Sequence, residues 1–149
     1  MATQAFVHTR DAEMIHFFGT RMRILVSGAQ TGGAFCLIEV RSPAGNMAPP
    51  HVHHRETETI HLLEGGMTCV LDGKPITVAV GETVVLPPEV PHQLKTGEQD
   101  TRTLLLCTPA GFDDFVRTLG TSTPVKPDPE VMAHAVAVAA SFGIEIFTS

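Results

Sequence analysis

Between residues 13 and 108 the chain is a succession of short apolar runs cut off by Gly- and Pro-containing turns, a punctuation that points to a β-sandwich or barrel. The runs Arg21 to Ser27, Ala34 to Arg41, Thr57 to Leu63, Met67 to Leu71, Ile76 to Val80, Thr83 to Leu86 and Thr101 to Thr108 are rich in Val, Ile, Leu, Thr and Phe. Such residues suit a pleated, half-buried surface. Gln30 to Gly33, Gly65-Gly66, Asp72-Gly73 and Thr96 to Asp100 are the expected turns. Asp72-Gly73 is the strongest of them, because both central residues of a type I′ hairpin need positive φ. No helical stretch separates successive strands, which excludes a sheet built from βαβ units.

The pattern changes after residue 108. Phe112, Phe115, Val116 and Leu119 fall on one helical stripe that stops at Gly120. After a Pro-containing linker, Asp128 caps a second helix, Pro129 sits in its first turn and Gly143 ends it. That helix, VMAHAVAVAAS, is apolar nearly all round and is expected to pack on the barrel or on a partner subunit. Ile144 to Phe147 reads as a short closing strand. With 149 residues and no internal repeat, the chain is expected to form one domain, 1–149. Its barrel runs from about 13 to 108 and its C-terminal helical extension from about 111 to 149.

A net charge of -6 without any basic run argues against binding a nucleic-acid backbone or an anionic membrane surface. No apolar stretch approaches the roughly 20 residues that span a bilayer. The opening segment MATQAFVHTRDAEMIHFF lacks the basic-then-apolar order of a secretion signal, so a cytoplasmic location is expected. Cys36, Cys69 and Cys107 form no CxxC pair and are expected to be buried free thiols.

The segment GNMAPPHVHHRETETIHLLEGG carries the chemistry. His51 and His53 are two apart, so on a strand both project from one face and can reach one ion. Alone, an H-x-H pair is weak, the ordinary alternative being a surface loop after Pro49-Pro50. The alternation of the next run sets Glu58, Ile60 and Leu62 on one face and Thr59, His61 and Leu63 on the other. A carboxylate leading an apolar face is costly unless a cation pairs with it, and a metal held by two imidazoles would supply that charge. His92 follows the Pro-rich bend of GETVVLPPEVPHQL and on its own would be an exposed loop histidine.

Together these segments resemble the cupin superfamily. Its first motif, G-x(5)-H-x-H-x(4)-E-x(6)-G, is matched by Gly45, His51, His53, Glu58 and Gly65 with every spacing intact. Its second, G-x(5)-P-x-G-x(2)-H-x(3)-N, is matched at Gly81, Pro87 and His92, with Glu89 in place of Gly and Thr96 in place of Asn. The resemblance implies an all-β fold: a single cupin barrel (double-stranded β-helix or jelly roll) with one or two C-terminal helices. It also implies that His51, His53, Glu58 and His92 bind one divalent metal. His54 and His61 point away by alternation, and His8, His16 and His134 are expected to be structural. Phe35, Leu37, Ile60, Leu62, Leu86, Leu104 and Leu106 are candidates to line the cavity.

Three imidazoles and one carboxylate suit Fe, Mn, Co, Ni or Zn, with coordination positions left open for a substrate. The layout of a small barrel followed by PAGFDDFVRTLG, a linker, a helix and a final strand resembles the bacterial quercetin 2,3-dioxygenase-like monocupins. That implies a metal-dependent dioxygenase acting with O2 on a small aromatic or enolic substrate, with Glu58 as base. Two alternatives stand beside it: a metal-dependent isomerase, cyclase or lyase that does not use oxygen, and a binding module without turnover. Barrel edges and the apolar last helix suggest a homodimer.

Overall fold

A computed structural model describes residues 5, 7 and 12–148; His8 lies outside the described residues. The strands are β1 (Ile15–Phe17), β2 (Thr20–Val26), β3 (Cys36–Ser42), β4 (His51–His53), β5 (Thr57–Glu64), β6 (Met67–Leu71), β7 (Lys74–Val78), β8 (Thr83–Leu86), β9 (His92–Thr96), β10 (Thr101–Thr108) and β11 (Ile144–Ile146). The helices are α1 (Phe112–Leu119) and α2 (Pro129–Ser141). One sheet has the order β1-β2-β3-β10-β5-β8 and the other β11-β4-β9-β6-β7, with all named pairs antiparallel. The fold is the expected all-β jelly roll with two C-terminal helices.

Strict alternation builds the interior. Along β10, Thr101, Thr103, Leu105 and Cys107 are buried, while Arg102, Leu104 and Leu106 are only half-buried on the outer face. The register then forms rows across the six-stranded sheet. Cys36 pairs with Cys107, Cys107 with Glu58, and Glu58 with Leu86. One row further up, Ile38 and Ile60 flank Leu105. The three cysteines are buried free thiols, as their spacing suggests. Cys36 and Cys107 are hydrogen-bonded to each other, which pushes the Cys107 thiol up and the Cys36 thiol down. At the Asp72-Gly73 turn φ is 47° and 80°, the type I′ signature.

Two buried acids organise the periphery. Glu39 is on the outer face of β3, where Arg23, Arg41 and Arg102 approach its carboxylate to 3.2, 3.4 and 3.0 Å. Burial opposes its charge, yet the three guanidinium groups hold it below the usual carboxylate range. Asp113, in the first turn of α1, accepts from the Gly28 N–H at 2.8 Å, the Gly111 N–H at 3.1 Å and Arg117 Nη1 at 3.2 Å. It thereby ties α1 to the loop after β2. Phe112, Phe115 and Val116 of the predicted helical stripe are buried. Phe17 meets Phe112 and Phe115 edge-on at 5.9 and 5.3 Å.

The Asp128 side chain accepts from the Val131 N–H at 2.8 Å, and Gly143 takes φ 71° just past the end of α2, so both helix boundaries are as expected. Ala135 and Ala139 of α2 are buried, and the helix packs on β11 and α1. β11 completes the five-stranded sheet by pairing with β4, Ile144 opposite His53 and Ile146 opposite His51. The C-terminal extension therefore holds one edge of the histidine strand, and β9 the other.

Candidate metal centre

His51 and His53 project inward from β4, and His51 is the direct cross-strand partner of His92 on β9. Their rings lie 4.3 Å apart, and those of His53 and His92 are stacked at 5.5 Å. Glu58 comes from the opposite sheet, leading the inner face of β5 with Ile60 and Leu62 behind it. Its Oε2 is 3.2 Å from His53 Nε2 and 3.3 Å from His92 Nε2. The structure thus brings together all four side chains that the spacing singled out, with one donor atom from each within 4.8 Å of the others.

The outward ring nitrogens explain how the inner ones are aimed. His51 Nδ1 donates to the Pro49 carbonyl at 2.8 Å and His92 Nδ1 to the Val90 carbonyl at 3.1 Å. A carbonyl oxygen can only accept, so each Nδ1 carries a proton and each ring turns its Nε2 inward. His53 Nδ1 donates to Glu56 Oε1 at 2.6 Å. Buried His53 Nε2, His92 Nε2 and Glu58 Oε2 have no hydrogen-bond partner. Their separations are short, but these atoms converge on a common point and are misaligned for bonding one another. Buried polar atoms are normally satisfied. A divalent cation at that point would satisfy all three, and an all-nitrogen-and-oxygen donor set suits a first-row transition ion.

The electrostatics match a site built for positive charge. Burial and the neighbouring His92 push His51 down to about 4, so it stays neutral near pH 7. Burial also opposes charge on His53, but Glu58 and Glu56 outweigh it and raise that imidazole to about 10. Burial opposes charge on Glu58 too, and His53 and His92 still hold its carboxyl well below the usual range.

Glu56 is the residue of the candidate site that sequence reasoning missed. It is 3% exposed, although it comes from a polar bend between β4 and β5. Its place three residues after His53 is the only signal that could have marked it. Carboxylate–histidine pairs of this kind fix the ring and raise its basicity toward a metal. Replacing Glu56 with Gln is expected to weaken divalent-metal affinity roughly 10- to 100-fold with little loss of fold. Competition titration against a chromophoric chelator measures this, and unchanged affinity would contradict it.

His54 and His61 face away from the centre, as alternation predicts. His54 Nδ1 donates to Glu89 Oε2 and His61 Nδ1 is paired with Thr83 Oγ1, both at 2.8 Å. His16 is in β1 and His134 is on the exposed side of α2. Glu89, at the motif's usual Gly, adopts the left-handed φ of 71° itself, and its N–H donates to the His53 carbonyl at 2.9 Å. The tight turn therefore survives without glycine.

A cavity of about 110 Å3 opens on His51 and Glu58 and is otherwise mainly apolar, with Phe17, Ile60, Phe112 and Phe115 among its walls. Of the candidate lining residues only Ile60 borders it. Leu62 and Leu86 are buried in the core. Leu37, Leu104 and Leu106 have the opposite parity and lie on the outer face, and Phe35 precedes β3.

Residues 38–108, which hold all four converging side chains, match the family model described as a cupin domain. Over 98 residues the chain is 32% identical to quercetin 2,3-dioxygenase of Bacillus subtilis (strain 168), covering 66% of this chain but 29% of that protein. The chain thus spans under a third of the length of that curated relative. Among solved structures, KdgF from Halomonas sp. superposes with a TM-score of 0.65 at 18% identity, covering 74% of this chain and 99% of that one. A predicted oxalate decarboxylase from Thermotoga maritima gives 0.63 at 18% identity, covering 70% and 99%. At such identities these two are likenesses of fold.

Proposed function

The chain belongs to the cupin superfamily, and from that premise we propose that it is a metal-dependent dioxygenase acting on a small aromatic or enolic substrate. His51, His53, Glu58 and His92 would hold one divalent ion, Fe, Mn, Ni, Co or Zn. The observation that carries this reading is the convergence of the unpartnered His53, Glu58 and His92 atoms beside a mainly apolar cavity that reaches His51 and Glu58. When bound, the ion supplies Lewis acidity toward an enol or carbonyl oxygen. The chain's own contribution is positional and protonic. Phe17, Ile60, Phe112 and Phe115 exclude water and accept an apolar ring, so the substrate's polar head is directed to the histidine wall. Glu58, which leads the inner face of β5 and borders the cavity, is the residue assigned to take the enol proton. The similarity to quercetin 2,3-dioxygenase supports enol chemistry.

The test is oxygen uptake by metal-reconstituted protein with flavonols and smaller enols. Oxygen consumption matched to substrate loss is expected. Turnover that persists without oxygen would replace this reading with an isomerase, cyclase or lyase, and binding without turnover by any metal form would leave a ligand-binding cupin.

A further inference from the structure

Cavity hydroxyls in this protein fall into two groups. Those of Thr20 and Thr96 are used by the fold: Thr20 donates to the Phe17 carbonyl, and Thr96 to the Pro43 and Asn46 carbonyls at 2.8 and 3.0 Å. The others are Thr101 and Thr103 on the inner face of β10, 5% and 7% exposed, and Ser42, the cross-strand partner of Thr101. All three line the cavity, and among the described residues none of their hydroxyls has a hydrogen-bond partner. Their oxygens are not among the buried unpartnered atoms of the described residues, so they open onto the cavity and offer hydrogen bonds there that valine, filling the same space on a strand, would not.

Their place in the register gives them a role. Cys107 marks the level of Glu58 on β10. Thr103 stands four residues from it and Thr101 six, about 13 and 20 Å along the strand at ~3.3 Å per residue. Leu105 and Ile60 fill the level between. The cavity therefore has a metal-facing end, an apolar waist and a hydroxyl-lined far end.

We infer that Thr103, with Thr101 and Ser42 beyond it toward the far end, forms a distal subsite for a hydroxyl or carbonyl group of the substrate, on the far side of its ring from the metal-binding oxygen. The inference rests on the metal-enol reading above and narrows it. The substrate is a ring compound carrying an oxygen function at each end, and a purely hydrocarbon tail is disfavoured.

The probes are two hydroxypyranones that offer the same chelating head: kojic acid, which has a hydroxymethyl group across the ring, and allomaltol, which has methyl there. Binding to zinc-loaded protein is followed by calorimetry, with zinc content measured before and after. The wild type is expected to bind kojic acid roughly 5- to 10-fold more tightly than allomaltol, the worth of one neutral hydrogen bond. In the double variant T101V/T103V that preference falls to near unity while allomaltol affinity holds. In T101S/T103S, which keeps both hydroxyls, the preference returns. Equal binding of the two rings by the wild type, or a preference that T101V/T103V leaves intact, overturns the subsite and leaves the metal reading standing. Failure of both rings to bind overturns the two together.

Discussion

Replacing His92 with Ala is expected to abolish stoichiometric divalent-metal binding. The effect should exceed the roughly 10- to 100-fold loss typical of removing a partner that only orients a ligand, because it takes away a donor atom itself. His92 is also the cross-strand partner of His51, so the pair of rings 4.3 Å apart is broken. The consequence extends to stability. An ion present at a hundred times its dissociation constant stabilises the native state by about 2.7 kcal/mol. For a domain of this size that corresponds to a rise in Tm of roughly 8–10 °C. Wild-type protein should show that rise with zinc or manganese and lose it with a chelator. H92A should show neither. Elemental analysis and a melting curve check both parts, and full occupancy in H92A would contradict the assignment of the site.

The second large effect is expected at Asp113, far from the donor atoms in sequence but close to the cavity in space. Asp113→Ala removes an acceptor that is 1% exposed and serves two backbone N–H groups, those of Gly28 and Gly111. Each buried donor left unsatisfied costs about 1–3 kcal/mol. The Arg117 contact adds little, because that guanidinium is 45% exposed. A loss of about 3 kcal/mol in urea denaturation is therefore expected, and less than about 1 kcal/mol would show that the N–H groups find other partners. Since α1 carries Phe112 and Phe115 over the cavity, D113A should also raise Kd for apolar ligands while leaving metal content unchanged.

How far these features could be read in advance depended on how unambiguous the local pattern was. β5, β6, β8 and β10 were delimited to within a residue, because alternation and turn residues agree there. β7 starts at Lys74, two residues before the expected Ile76, because the Asp72-Gly73 turn feeds directly into pairing. β1 was missed: its three residues are too few to show a period. The run Leu104-Leu105-Leu106 is apolar on both faces, so periodicity could not say which parity faces in. Glu39 and Asp113 look like ordinary surface acids in the sequence, and only the meeting of distant elements buries them. The four converging side chains were legible because motif spacing, rather than burial, marks them. Glu56 was not, because nothing in a polar bend announces that it folds inward onto an imidazole.

One arrangement has a mechanical consequence. His51, His53 and His92 belong to the five-stranded sheet, whereas Glu58 belongs to the six-stranded one. An ion captured between them would act as a rivet joining two plates that otherwise meet through side-chain packing. The gap between the plates would then follow the bond lengths to the ion, so exchanging one metal for another would also shift the calibre of the cavity. Metal choice and ligand choice would thereby be coupled through the spacing of the two sheets.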